Sequence, residues 1–224
     1  ILASLLSKST KIPVQEVTDK TKIQPDNIYV MPSDKEMKVV DGKIKLFPRS
    51  PRRGVNMLID LFFTSLAEKH QENVIGVILS GSANDGTKGM KAIKYEGGLT
   101  FAQDDTAKFN SMPQSAIAAG VVDFVLPPEE IARELTRLSR HPYIRSNGTQ
   151  QTTEDDINNN NPDLKFILNL LHKSSGVNFA LYKMNTVKRR ILRRMLLHKI
   201  KTLKEYAGWL EDKKKKQLRC ITTC

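Results

Sequence analysis

The sequence predicts an α/β domain with a doubly wound, mainly parallel sheet, followed by a small all-α helical domain. Three observations carry this. The first is the stretch VIGVILSGSANDGTKG at residues 74–89, an almost purely apolar run that ends in small residues and glycines and opens a helix. Such a run suits a strand buried on both faces of a parallel sheet. The second is alternation, strand-like runs at 74–79, 99–102 and 121–126 interleaved with helical patterns of about 10–15 residues. The third is a change of character near residue 160, where a polar, asparagine-rich stretch gives way to basic segments with apolar residues at helical spacing.

Taken in order, residues 1–9 read as the end of a helix, and 13–17 and 28–31 as short strands, the second closed by Pro32. Residues 37–40 and 44–47 flank Asp41-Gly42, a hairpin signal because the pair supplies the positive φ of a tight turn. A basic, proline-containing loop covers 49–53, with Arg52 and Arg53 facing either solvent or an acidic substrate. Residues 54–70 form an amphipathic helix with Val55, Leu58, Ile59, Phe62 and Leu66 on one face and His70 in its last turn. A helix at 87–96 is stopped by Gly97-Gly98. Met112-Pro113 leads into a short helix ending at 119, and a last helix closes the domain over 128–140.

Residues 145–162 read as a disordered linker, with Ile157 as the sole apolar side chain. Beyond it, Leu164, Ile167, Leu168 and Leu171 share a helical face that ends at Ser174-Ser175-Gly176. A basic helix follows over 186–200. Val187, Ile191, Leu192, Met195 and Leu196 fill about half its circumference, and Arg189, Arg190, Arg193 and Arg194 most of the rest. Thr202-x-x-Glu205 is a capping box, opening a third helix with Leu203, Ala207 and Leu210 inward.

The net charge of +12 is uneven: +2 over residues 1–144, −2 over 145–160 and +12 over 161–224. A basic module seeks an acidic partner, whether nucleic acid, anionic lipid or an acidic protein face. No apolar run approaches the ~18 residues of a membrane span. The two cysteines, Cys220 and Cys224, form no disulfide framework and fit a reducing cytoplasm; no metal-ligand constellation accompanies them. GSANDG lacks the spacing of a dinucleotide loop.

Ligands in parallel sheets sit at the carboxyl ends of the strands. Asp85 lies there, between Gly81 and Gly86, which let the backbone turn tightly. Two readings stand: Asp85 caps the helix opening at Thr87, or it orients a catalytic histidine as the acid of a Ser-His-Asp triad does.

GVILSGSANDGTKGMKAIKYEGGLTFAQD, followed by SMPQSAIAAGVVDFVLPPEEI, resembles the catalytic domain of the chemotaxis protein-glutamate methylesterases (CheB type), in particular the branch fused to a chemoreceptor methyltransferase. The likeness runs over residues 1–140. It implies that Asp85 is the triad acid, that Gly81, Asn84, Gly86 and Met112 support its loop, and that the esterase needs no cofactor. Ser82 stands where the stand-alone enzymes usually have Met. The family order is Ser, His, Asp, yet only His70 precedes Asp85, and no earlier serine lies in a glycine-flanked strand-to-helix turn. Residues 1–144 are therefore expected to be a methylesterase domain lacking its N-terminal part, with nucleophile and base upstream of residue 1.

SSGVNFALYKMNTVKRRILRRM with the following LKEYAGWL resembles the small N-terminal helical domain of the chemoreceptor glutamate methyltransferases (CheR type), over residues 160–212. Gly176, Phe179, Tyr182, Lys183 and Thr186 carry the match, with the arginines behind them. The resemblance implies that Arg189, Arg190, Arg193 and Arg194 face the acidic methylation helices of chemoreceptors. It also implies that 163–224 stops short of a methyl-donor domain using S-adenosylmethionine. The expected function is part of a bifunctional, cytoplasmic chemotaxis protein that hydrolyses glutamyl methyl esters on receptors, without nucleic acid or membrane insertion. Two other classes compete. A basic nucleic-acid-binding protein would show aromatic residues among the arginines, and there are few. A non-catalytic scaffold would keep the folds without the chemistry.

Overall fold

A computed structural model describes residues 2–49, 57–139 and 160–222, with side chains as far as Lys213. Most of the basic loop at 49–53, the first residues of the helix expected from 54, His141, most of the 145–162 linker and Cys224 lie outside the described residues. The chain divides into two compact units between Glu134 and Leu135.

The first unit opens with α1 (Leu2–Ser7), which buries none of its residues. Strands β1 (Val14–Glu16) and β3 (Ile28–Val30) pair in parallel, Val14 opposite Ile28. Strands β2 (Thr21–Lys22), β4 (Lys35–Val40) and β5 (Lys43–Pro48) form an antiparallel sheet of order β2-β5-β4. Asp41 and Gly42 both have positive φ, 52° and 70°, and Val40 pairs with Lys43 across them. This is the two-residue hairpin that the Asp-Gly pair predicts.

Helix α2 (Leu58–His70) leads through a 3₁₀ turn, Gln71–Asn73, into β6 (Ile75–Ile78). Then follow α3 (Thr87–Tyr95), β7 (Leu99–Gln103), α4 (Ser111–Ala118), β8 (Phe124–Leu126) and α5 (Pro128–Ser139). The three strands form a parallel sheet of order β6-β7-β8, Ile75 opposite Leu99 and Phe101 opposite Phe124. The parallel β/α layout is the one predicted, but its most buried strand is another. All five residues of β7 are buried, whereas β6 alternates half-buried and buried residues and is followed by Leu79, 47% exposed. Among the described strands, β7 has a neighbour on both sides and β6 on one, which is the physical reason.

Ala67, Val74, Ile78, Met90, Ile93, Ala116 and Val121 make the core that joins α2, α3 and α4 to the sheet. The backbones of α2 and α3 approach closely at Gly89, where any Cβ would run into Phe63 and the Cα of Asp60. A second core of Val17, Met37 and Ile44 lies under the antiparallel sheet.

The second unit holds α6 (Pro162–Ser175), α7 (Met184–Leu197) and α8 (Leu203–Thr222). Asn161 caps α6 by accepting from the amides of Asp163 and Leu164, and Gly176 ends it in a left-handed conformation. The capping box of α8 forms in shifted register. Thr202 Oγ1 accepts from Glu205 N at 3.2 Å, while Glu205 reaches back to the amide of Lys201 at 3.1 Å. Leu164, Ile167, Val187, Ile191, Met195, Tyr206 and Ala207 form the core of this unit. Helix α7 starts two residues before the predicted Thr186 and ends at Leu197, after which Lys199 takes a positive φ.

Candidate active site

The loop from Ser80 to Gly86 leaves the carboxyl end of β6. Two neighbours hold its first residues. Gln103, buried at the end of β7, accepts from the Ser80 amide at 2.9 Å and donates to Thr106 Oγ1 at 3.1 Å, and that hydroxyl donates to Asp104 at 2.6 Å. A glutamine whose oxygen and nitrogen are both engaged has one orientation, so it ties the ends of two adjacent strands together. On the other side, the segment before α4 clamps the loop. Gly81 N donates to Phe109 O at 2.8 Å, Phe109 N to Ser80 Oγ at 2.9 Å, and Met112 N to Gly81 O at 3.2 Å. Met112 packs its thioether on Gly81, in the space a Cβ would fill. Gly81 is therefore required for close approach rather than for a positive φ.

Further along, Ser82, Ala83 and Asn84 are exposed. Ala83 has φ +72°, a left-handed conformation that costs a non-glycine residue of order 1 kcal/mol. Gly86 takes φ +97° and turns the chain into α3.

Asp85 is the centre of this arrangement. Its Oδ2 accepts from the Ile59 amide at 3.0 Å and its Oδ1 from the Asp60 amide at 2.9 Å. Those are the second and third amides of α2, which have no partner within the helix. Met57, at the N-cap position of α2, supplies no side-chain cap. Asp85 thus caps a helix, but not the one that opens at Thr87. It starts α2 from some 25 positions away in sequence. Helix α3 is capped in return from α2: Gly86 offers no side chain, and Gly89 N donates to Asp60 Oδ1 at 2.7 Å. Two helices that begin on non-capping residues exchange carboxylates. Negative groups are favoured at both positions by the amides and by the helix dipoles.

The bidentate grip leaves chemistry open. A carboxylate has about four lone-pair sites, so two backbone donors leave room for an imidazole N–H. No histidine takes it among the described residues. His70, at the far end of α2, is about 16 Å from Ile59 along the axis at the helical rise, and its Nε2 is buried without a hydrogen-bond partner. His172 and His198 belong to the second unit. The structure gathers Gly81, Asp85, Gly86 and Met112 at one place, with Asn84 on the exposed turn. The sequence reading missed Asp60, Gln103 and Thr106. Asp60 gave no local signal, because its partner Gly89 lies 29 positions on in the sequence. For Gln103 there was none either, since its partner Ser80 is remote in sequence. Among the described residues no cluster of three or more His, Cys, Asp or Glu could hold a metal ion, and no helix is long and apolar enough to cross a membrane.

In the second unit the four arginines of α7 are not equivalent. Arg190 and Arg194 are exposed, while Arg189 and Arg193 are half-buried and engaged in contacts of their own. Lys188 is buried, which the wheel did not predict; it too has a partner. Burial pushes the Tyr206 hydroxyl pKa up, against the effect of its hydrogen bond with Arg194. His198 lies 4.2 Å from the ring of Trp209, and Lys213 sits over the same indole at 4.5 Å. Partial desolvation holds the His198 imidazole below its usual pKa, with Lys213 and Arg194 adding to the effect.

Comparison with known proteins fits this geometry. An uncharacterised 104.1 kDa protein of Rhodobacter capsulatus is 35% identical over 223 residues, 92% of this chain and 23% of its own length. The protein-glutamate methylesterase/protein-glutamine glutaminase of Archaeoglobus fulgidus is 35% identical over 141 residues, 61% of this chain and 40% of its own. The crystal structure of the Thermotoga maritima CheB methylesterase catalytic domain superposes with a TM-score of 0.56 at 32% identity, over 61% of this chain and 75% of that one. This chain thus spans less than half the length of either sequence relative. Residues 162–222 match the all-alpha domain of the CheR methyltransferases. Residues 1–135, more than half of the chain, match the CheB methylesterase model, and the chain belongs to the CheB methylesterase family.

Proposed function

We propose that Asp85 is the acid of a Ser-His-Asp esterase that hydrolyses glutamyl methyl esters on chemoreceptors, with the serine and histidine supplied from outside residues 1–224. The observation that carries this is the Asp85 carboxylate, held by two backbone amides at the carboxyl end of a parallel strand with lone pairs to spare. In this reaction the serine hydroxyl attacks the ester carbonyl carbon, and the imidazole takes the serine proton and passes it to departing methanol. The imidazole then takes a proton from water as the water oxygen attacks the acyl-serine carbonyl carbon, and gives that proton to the serine oxygen as the acyl C–O bond breaks and glutamate leaves. Asp85 keeps the imidazole in the tautomer that accepts at the serine and stabilises the imidazolium. The same sequence with ammonia as leaving group gives the glutaminase activity in the relative's name. No cofactor enters these steps. S-adenosylmethionine is assigned to a methyltransferase domain elsewhere in the parent protein, and the parent is assigned to the cytoplasm. The helical unit docks the receptor through its basic face. It adds a second, oppositely directed activity to the parent, as the match to both family models over one chain supports.

The test is methanol release from a methylated receptor. A chain extended upstream to include a serine and a histidine should turn over, and residues 1–224 alone should not. In the extended chain Asp85→Asn should lower kcat about 10³–10⁴-fold, the size seen when the triad acid is lost in a worked serine protease. Full activity in that variant would make Asp85 a helix cap and nothing more.

A further inference from the structure

We infer that Asp60 is a positioning residue for Asp85: its carboxylate holds the first turn of α3, and through it keeps the Asp85 side chain on the amides of α2. Asp60 meets the site twice. Its own amide donates to Asp85 Oδ1 at 2.9 Å, and its Oδ1 accepts from Gly89 N at 2.7 Å. Gly89 stands four residues after Asp85, in the turn that the Asp85–Gly86 bend feeds. The turn from Asp85 to Gly89 is therefore held at each end by one residue of α2. Asp60 is 6% exposed, and its second oxygen, Oδ2, is buried without a partner. An unmet buried carboxylate oxygen is costly, and the bond from Gly89 offsets part of that cost. That bond is possible because Gly89 lacks a Cβ, which would otherwise strike Phe63 and the Asp60 backbone. Gly86 brings no capping side chain to the start of α3, so among its first amides that of Gly89 takes its acceptor from α2. Asp85 is a short side chain, and a shift of about 1 Å away from α2 would stretch its 2.9 and 3.0 Å bonds beyond ordinary hydrogen-bond length.

The experiment has two arms. The first uses residues 1–224 and reads amide hydrogen exchange at Ile59, to which the Asp60 side chain makes no bond and which Asp85 alone covers. Asp60→Ala should speed exchange at Ile59 about fivefold or more, as well as at Gly89, while Asp60→Asn, which retains the acceptor, should leave both within about twofold of wild type. Faster exchange at Gly89 with Ile59 unchanged would overturn the inference, leaving Asp60 a local cap of α3. So would an Asp60→Asn variant that loosens Ile59 as much as Asp60→Ala does. Should Asp60→Ala fail to fold, Asp60→Ser, with one shorter acceptor, takes its place under the same criteria.

The second arm rests on the esterase reading and uses the upstream-extended chain. Asp60→Ala should lower kcat roughly tenfold with KM within about twofold, and Asp60→Asn should restore it. Equal losses in kcat/KM for both variants would count against positioning. An extended wild type without esterase activity would overturn the proposed function, and the exchange arm would still decide the role of Asp60.

Discussion

At Asp85 the bonds that hold the carboxylate are the bonds that start α2, so a substitution there acts on stability before it acts on chemistry. Asparagine offers one carbonyl oxygen to two backbone donors and turns an N–H toward the second. In residues 1–224 alone, Asp85→Asn should cost about 1–2 kcal/mol in denaturant unfolding of the first unit, the range of a lost N-cap. A cost within error would mean that the grip on Ile59 and Asp60 contributes nothing. The measurement also calibrates the activity test, because a turnover loss far beyond this destabilisation belongs to chemistry. The sequence singled out residue 85 and offered two roles for it. It could not show that the capped helix is α2, because a bond spanning 25 or 26 positions leaves no local pattern. Asp60 was hidden for the same reason. An acidic residue in the first turn of a helix is ordinary, and only the partner on α3 makes this one unusual.

At the scale of elements, periodicity located almost every helix, because apolar spacing at 3.6 is imposed by burial. It placed Val187, Ile191, Met195 and Leu196 inward, and all four are buried. It was weakest where a strand is very short, as at β2, two residues held by pairing with β5. The wheel also treated the arginines of α7 as one face, and their exposure divides them. If Arg190 and Arg194 dock an acidic receptor helix, the contacts are exposed and individually under ~1 kcal/mol, so binding should be weak and salt-sensitive. Titrating residues 161–222 against a receptor methylation-region peptide at low and high salt should show affinity falling with salt. Arg190→Glu should weaken it more than Arg189→Ala. Affinity indifferent to salt, or a wide preference for generic DNA, would reverse the reading in favour of nucleic acid. The α7–α8 corner makes a separate prediction. His198 is exposed, and partial desolvation first, then Lys213 and Arg194, holds it below its ordinary value of 6.5, an effect that solvent screening keeps small. The folded state therefore binds a proton less readily than the unfolded one. The stability that the neutral ring contributes is present above pH ~6.5 and is lost as pH falls through the lowered folded value. Melting of the second unit should accordingly drop on acidification through this window. His198→Gln should remove part of that slope, and an unchanged slope would place the acid sensitivity elsewhere.

At the scale of the whole molecule, each unit has its own core. Ala67, Val74, Ile78, Met90 and Ile93 serve the first, and Leu164, Ile167, Ile191 and Tyr206 the second. The jump in charge near residue 160 and the polar composition of 145–160 predict a division within 145–162, whereas the compact units meet between Glu134 and Leu135, inside α5. Two units whose buried clusters share no member predict two transitions rather than one. Ile191→Val removes one buried methylene from the second core, costs about 1 kcal/mol, and should lower that unit's melting temperature by roughly 4–8 °C. The first transition should not move. Ile93→Val should do the converse, with a smaller shift because the first unit is larger and its unfolding entropy greater. Differential scanning calorimetry of residues 1–224 and of 161–222 alone checks both. The isolated segment is short for an independent fold, so its stability should be modest, about 3–5 kcal/mol. Its melting temperature should nevertheless match the second transition of the full chain. A single transition displaced by either substitution, or a segment that melts without cooperativity, would mean that the helical unit depends on the methylesterase domain for its fold.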